Sequence, residues 1–499
     1  MSSDRTVLRY ILGLAVTAMV TVVLVSADSY THDLFDHFDS ATFYTSGKAL
    51  MNGMVPYRDF TDSKGPLLWL IYGIGYLLTP RSAVGMMWIA CALYAAVLIY
   101  LFKIARLWLP SDKKAAIAAI LTLMAIFFPA VRYETRAEDF CLLPLVWAMW
   151  HTLAALHGTN TKKLRHSAIA IGVAMAVTFL IKYNVTVMIG VMALIVLHRA
   201  WRSREAVNAL LMMIAGAAVV LVPAVLYMWQ AGWLTDFINE YFFVNARVVA
   251  SQHTLMRHPI HLLWANRWSV GLYCGLCGLS ACAAVSYMTR YRWSVPLIFA
   301  GVVALTASNA FWLYYYAMLA PFAVFGFVWL LRITPGAAKR WQVAAVALLT
   351  VVGVTAMHLW HDGSWVFRHK PERDAFYAYA AMMSRTDRPK IIYYNTCTSA
   401  YGIPVGSLPG CKYWTSQSGA LPYMDLDQRQ AIEQRRPDFV FVQKVDDEPE
   451  WFASLGYHRY DNDTALPMLM YARDSVPSLV GDYHVSTLDA LLKRNLIHP

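Results

Sequence analysis

The residues best suited to chemistry gather in residues 32–66, HDLFDHFDSATFYTSGKALMNGMVPYRDFTDSKGP, directly after the first hydrophobic run. Asp33, Asp36, Asp39, Asp59, Asp62 and Lys64 crowd there in a chain that is otherwise mostly apolar. Carboxylates can take a proton from a hydroxyl, and a lysine beside them can hold a departing phosphate. Asp33, Asp36 and Asp39 are spaced i, i+3, i+6, so a helix there would put all three on one face. The competing roles are plain: an Asp before a helix often caps it, acids on a wet loop are solvated, and Lys64 could lay its stem along lipid.

A second set lies in FFPAVRYETRAEDF (127–140), which puts Arg132, Glu134, Arg136, Glu138 and Asp139 at the start of a later span. Acids there also suit the positive end of a helix, so an ion-paired helix start is the alternative. Lys182 lies at the junction of two apolar runs, placed for a lipid phosphate or for snorkelling. Residues 230–267 add Trp233, Tyr241, Phe242, Phe243, Arg247, His253, Arg257, His258 and His261, a mixture able to grip an amphiphile and equally usual at a membrane interface. No Gly-rich phosphate loop and no strong His/Cys metal spacing occurs. Taken together, carboxylates, lysines and arginines beside a bilayer suit a reaction on a lipid-phosphate substrate, which needs no nucleotide because the leaving group is already lipid-linked.

The elements that must position these residues can be read from the same pattern. Ser40–Asn52 reads as an amphipathic helix with Asp39 or Ser40 as N-cap, Phe43, Ala49 and Leu50 among its apolar positions, and Gly53 just past its end. Pro56 makes 55–60 extended, 62–65 a turn, and Pro66 the first residue of another helix. Segment 66–79 spans only about 21 Å at about 1.5 Å per residue, against a bilayer core of about 30 Å, and is expected to be interfacial or re-entrant.

With 58% hydrophobic and 15% charged residues among 499, the chain is expected to be a polytopic α-helical membrane protein. Eleven spans are read, at 6–26, 82–104, 114–130, 139–157, 166–182, 184–201, 206–229, 268–289, 293–312, 314–332 and 341–358. The first is taken as uncleaved, since no small-x-small site follows it. The net charge of +11 sits largely in the N-terminal tail and alternate short loops, as positive-inside sorting produces, which excludes nucleic acid as the partner. That sorting places the N-terminus in the cytoplasm. The Asp-rich loop, residues 127–140, Lys182, the 230–267 loop and everything from about 359 onward then lie outside.

The domain expectation is a membrane region over 1–358, with extracytoplasmic loops 27–81 and 230–267, and a small soluble α/β domain over 359–499. Lys390-IIYYNT and Pro437-DFVFVQ read as its strands, with a helix from Leu426 to Arg436 between them. Cys397 and Cys411 are its two cysteines, and an oxidising compartment makes a disulfide between them plausible. Cys91, Cys141, Cys274, Cys277 and Cys282 lie in apolar runs, as structural thiols would.

The order FDSATFYTSGKALMNGMVPYRDF, then DSKGPL, then RYETRAED before a later span resembles the GT-C class of membrane glycosyltransferases. Within it the chain is similar to the branch holding protein O-mannosyltransferases, the aminoarabinose lipid A transferase and lipid A galacturonosyltransferases. The resemblance covers about 1–360 and is most specific in the first 140 residues. It implies a GT-C-like fold, a polyprenyl-phosphate sugar donor, an extracytoplasmic active site with juxtamembrane helices in the first loop, and inversion at the anomeric carbon. By motif, Asp39 would be the first-loop acid that activates the acceptor, with Asp36 competing. Lys64 would contact donor phosphate, and Glu138 or Asp139 would be the second acid. Arg136 and Lys182 join Lys64 as phosphate ligands, and Tyr57, Asp62, Arg247 and His258 as loop contacts to donor or acceptor. Gly65 and Ser63 depart from the family pattern, which leaves the base and any divalent-cation requirement open. The acceptor is left among envelope glycan, lipid A and protein, in the plasma (inner) membrane. The alternatives are a polyprenyl-lipid flippase or exporter and a non-catalytic envelope-assembly protein; a transporter should carry its charges at the bilayer midplane, whereas these gather at one face.

Overall fold

In this computed structural model, residues 4–26, 29, 38–131, 135–158, 160–251, 261, 263–309, 313–361, 379–380, 382–397, 400–416, 421–443, 451–460 and 468–476 are described. The candidate residues Asp36 and His258, with Asp33, Arg132, Glu134, His253 and Arg257, lie outside them. The chain divides into two units: Met1–Ser26 with Ile89–Tyr227 and Thr254–Gly363, and Ala27–Trp88 with Met228–His253 and Ser364–Pro499.

Among the described residues, nine helices are long and apolar enough to cross a membrane. They include α1 (Asp4–Val25), α4 (Val84–Ala105), α6 (Ala137–His157), α7 (Thr161–Ile181), α8 (Tyr183–Arg202) and α9 (Ala206–Gln230). The other two expected spans are shorter helices. One is α5 (Asp112–Ile126), which ends ahead of Pro129, and the other is Ser294–Asn309. The last span, Arg340–His361, exposes Trp341 and Trp360 near its two ends. They are 19 residues apart, about 28 Å at about 1.5 Å per residue, which matches a hydrocarbon core with an aromatic belt at each face. The protein is thus a multi-pass α-helical membrane protein.

Within the first unit, small residues let helices touch backbone to backbone. A Cβ added at Gly172 of α7 would lie 2.0 Å from the Met213 carbonyl oxygen of α9, and one at Gly216 of α9 would lie 2.2 Å from that of Ile169. α7 and α8 are joined by Lys182 alone, in extended conformation, and the Thr186 hydroxyl returns to Thr178 Oγ1 at 3.3 Å. A helical hairpin with a one-residue turn therefore fixes Lys182.

The second unit holds a five-stranded sheet in the order β2-β1-β3-β5-β4: β1 (Lys390–Tyr394), β2 (Leu408–Pro409), β3 (Phe439–Gln443), β4 (Tyr457–Tyr460) and β5 (Met468–Arg473). β1 is parallel to both β2 and β3, while β5 runs antiparallel to β3 and β4. β1 and β3 are the predicted strands; their near-continuous apolar runs are what strands covered on both faces require. The helix between them runs Pro422–Glu433. Together these elements form the small α/β part of the fold.

α2 (Phe38–Met51) and α3 (Pro66–Leu78) complete this unit's framework. α2 is not the half-exposed helix its polar residues suggest: every residue from Ser40 to Ala49 is buried. Ser, Ala, Thr and Gly make that enclosure feasible, and at Gly47 a Cβ would come 2.5 Å from Gly73 N of α3. α3 buries Leu68, Trp69 and Tyr72 and exposes Leu70, Ile74, Leu77 and Leu78 along one stripe, as an interfacial helix would. On its other side α2 meets the C-terminal segment, where Lys48 Nζ donates to the Gly402 carbonyl oxygen at 2.8 Å.

Candidate active site

In the second unit, the chain before α3 is shaped by Tyr57, which adopts φ +63°, rarely taken by a bulky residue. Burial of its whole side chain offsets that strain: the ring packs 4.6 Å from Trp69 and 5.5 Å from Phe237, centroid to centroid. Its hydroxyl donates to the Lys64 carbonyl oxygen at 2.9 Å. Tyr57 therefore positions the 62–65 turn and is walled in by the aromatics of 233–241.

The turn carries its own charge arrangement. Lys64 Nζ lies 3.9 Å from Asp62 Oδ1, donates to Ser63 Oγ at 2.9 Å and sits 5.4 Å from the Phe43 ring centroid of α2. Asp62 Oδ1 accepts from Ser63 N at 2.5 Å, which bends the turn back on itself. Asn245 closes it by donating to the Ser63 carbonyl oxygen at 3.1 Å. Asp62, two residues before the lysine, thus brings a carboxylate to it. The Lys64 side chain keeps 14% of its surface accessible.

Asp39 lies inside the first turn of α2, not at its N-cap, so its carboxylate sits at the positive end of the helix. It is half-buried, and its charge adds to the larger effect of burial in pushing the pKa of the Cys397 thiol up. Cys397 is exposed and Cys411 is buried, and both are free thiols. The expected disulfide is not formed, since the Cys411 thiol is turned toward Asp427, and burial and that carboxylate both raise its pKa. Arg247, on the short helix Asn245–Ser251, is exposed. Arg58, which the sequence did not single out, pairs with Asp236 at 2.8 Å.

In the first unit, the start of α6 gathers the other set. Asp139 Oδ2 accepts from the Arg136 backbone N–H at 2.8 Å, closing the helix start, and its Oδ1 accepts from the Tyr94 hydroxyl at 2.5 Å. Both oxygens are thus engaged in structure. Glu138 is ion-paired with Lys182, both nearly enclosed, and Lys182 Nζ also donates to the Tyr315 hydroxyl at 2.9 Å. Lys182 is therefore no snorkelling anchor.

Two tyrosines missed in the sequence extend this arrangement. Tyr314 and Tyr315 stack at 4.9 Å, with the Arg136 guanidinium 3.8 Å from the Tyr314 ring centroid and Lys182 Nζ 4.0 Å from that of Tyr315. Both sit on the 3-10 helix Leu313–Phe322. Only the run YYY at 314–316 signalled them, and inside an apolar span such a run reads as ordinary packing. Each stacked ring thus carries a cation, of which Lys182 is already balanced by Glu138. Among the described residues, no group of three or more His, Cys, Asp or Glu is placed to hold a metal ion.

Comparison with known proteins gives these residues a frame. Residues 63–229 match the family model described as dolichyl-phosphate-mannose-protein mannosyltransferase, a segment that contains Lys64, Arg136, Glu138, Asp139 and Lys182. No curated protein matches the chain by sequence. Among solved structures, ArnT from Cupriavidus metallidurans bound to undecaprenyl phosphate superposes with a TM-score of 0.59 at 14% identity, covering 97% of this chain and 100% of that one. ArnT from the same organism in the apo state gives a TM-score of 0.60 at 14% identity, over 94% of this chain and 98% of that one. The chain has the fold of the GT-C membrane glycosyltransferases and carries the mannosyltransferase sequence pattern in its residues 63–229.

Proposed function

We propose that the protein moves a sugar from a polyprenyl-phosphate donor to an extracytoplasmic acceptor, with inversion at the anomeric carbon. Agreement along 97% of the chain with an ArnT structure that holds undecaprenyl phosphate is the observation that carries the proposal. Asp39, a half-buried carboxylate with a lysine-bearing turn in the same unit, takes the proton of the acceptor hydroxyl as its oxygen attacks the anomeric carbon. The bond from that carbon to the phosphate oxygen breaks, and the electron pair leaves with the polyprenyl phosphate. Lys64, with Tyr57 and Asp62 setting its turn, stabilises phosphate charge, and Arg136 and Lys182 are proposed as further phosphate ligands on their residue type alone. Glu138 tunes Lys182, while Asp139 holds the start of α6.

In this proposal residues 1–358 are the membrane-embedded catalytic region of an inner-membrane protein, the N-terminus is cytoplasmic and residues from 359 onward are extracytoplasmic. The test is sugar transfer by purified protein over a panel of polyprenyl-phosphate sugars and envelope acceptors, with wild type, Asp36→Asn and Asp39→Asn side by side. Wild type should transfer sugar or slowly hydrolyse a donor, and Asp39→Asn should lose at least about 10²-fold. An Asp39→Asn enzyme as fast as wild type would remove Asp39 from the mechanism. Folded wild type that turns over no donor would refute transfer and point to lipid translocation.

A further inference from the structure

A cavity of about 460 Å³ opens within the second unit, lined in part by Asn239, Glu240, Phe243, Arg247, Tyr413 and Tyr423. Its size lies within the range of small-molecule sites, about 300–1,000 Å³. The first four residues come from one continuous helix whose middle, Asn239–Val244, is π-helical. The wider turn of a π-helix brings residues four and eight apart toward one face, so 239, 243 and 247 share the cavity wall; such segments recur at functional sites.

The charges in the cavity do not cancel. Glu240, over nine-tenths buried, is neutralised from below: Lys412 Nζ lies 2.6 Å from it, and the Tyr413 hydroxyl is 3.0 Å and 3.1 Å from its two oxygens. Arg247 has no hydrogen bond or ion pair to any described residue, and it is exposed. The cavity therefore presents one uncommitted guanidinium. Beside it Phe243 and Tyr423 leave 58% and 38% of their surface accessible, and Tyr423 packs edge-on to Tyr413 at 5.7 Å, which fixes its ring. A bare anion would need only the guanidinium. Aromatic faces in the open suit the apolar face of a pyranose, and the Asn239 amide, both donor and acceptor, suits ring hydroxyls.

We propose that this cavity binds one saccharide unit carrying an acidic group, carboxylate or phosphate, with Arg247 on the acid and Phe243 and Tyr423 on the ring. Combined with sugar transfer as the function, on which this step alone rests, the site selects an acidic glycan as acceptor. Binding needs no donor and no turnover, so it can fail or succeed independently of the transfer assay.

Full-length protein in detergent is titrated calorimetrically with galactose, galacturonic acid, galactose 6-phosphate and inorganic phosphate. An acidic sugar should bind about tenfold more tightly than galactose, and whichever acid wins names the group. Arg247→Met, at an exposed position, should bring that sugar down to the level of galactose. Tyr423→Ala, which removes the aromatic face at a part-exposed position, should keep the preference for charge while weakening the sugars. Galactose binding as well as both acids, or phosphate binding as well as the best sugar, overturns the proposal, as does the absence of binding by all four.

Discussion

Lys48 should make the second unit pH-sensitive in a way that a single substitution removes. Its side chain is fully buried, its Nζ donates to the Gly402 carbonyl oxygen, and among the described residues no carboxylate pairs with it. Burial alone lowers its pKa from the usual 10.5 to about 7. Between those values the unfolded chain holds a proton that the folded one lacks, so stability rises with pH there. The slope is about 1.4 kcal/mol per pH unit, and the whole window amounts to about 5 kcal/mol. Below about pH 7 both states are protonated, the slope vanishes and the full burial penalty stands; above about 10.5 the penalty is gone. Hydrogen exchange of residues 38–51, corrected for intrinsic rates, should show protection rising about 50-fold between pH 7 and 9. In Lys48→Met this rise should disappear, and the Gly402 carbonyl keeps the Ser407 hydroxyl as a donor at 2.9 Å. Equal slopes in the two proteins, or a flat wild type, would refute the assignment of this titration to Lys48.

Three further outcomes follow from packing and pairing. Gly47→Ala should lower the unfolding temperature, because its methyl meets backbone atoms of Gly73 and Tyr72 at 2.5 and 2.7 Å; a loss of about 1–3 kcal/mol is expected, and unchanged stability would show that α2 and α3 can part. Glu138→Gln should cost about 3–5 kcal/mol by leaving the Lys182 ammonium buried without its counter-charge. Glu138→Gln with Lys182→Met should recover stability but not transfer, and recovery of both would make the pair purely structural. Tyr57→Phe removes the hydrogen bond to the Lys64 carbonyl and should raise the KM for donor by about fivefold, with kcat little changed.

Sequence reading served well wherever local pattern decided the structure. Apolar runs long enough for a bilayer became helices, Pro66 opened α3, and the apolar runs of β1 and β3 became adjacent parallel strands. It served less well wherever cover came from afar. The Ser, Thr and Lys of α2 read as a solvated face, yet they are enclosed by α3 and by residues after 400, and no local window contains that partner. Asp39 or Ser40 reads as the cap because such residues usually precede a helix, but the helix already includes Phe38, which puts both inside its first turn. Glu138 and Asp139 were indistinguishable as neighbours in sequence. One helical step apart, they point to different partners, Lys182 for the first and Tyr94 for the second.

The bond between Lys48 and Gly402 also sets an order of events during synthesis. Its two residues are 354 positions apart, so α2 leaves the ribosome long before its partner exists. At about 5–20 residues per second that interval is roughly 20–70 s. Throughout it, a helix destined for full enclosure has one side uncovered and its lysine still charged. Any factor that holds the first loop during that interval therefore acts on folding, and a nonsense codon just after the last span would leave all the transmembrane helices translated but α2 permanently without its lid.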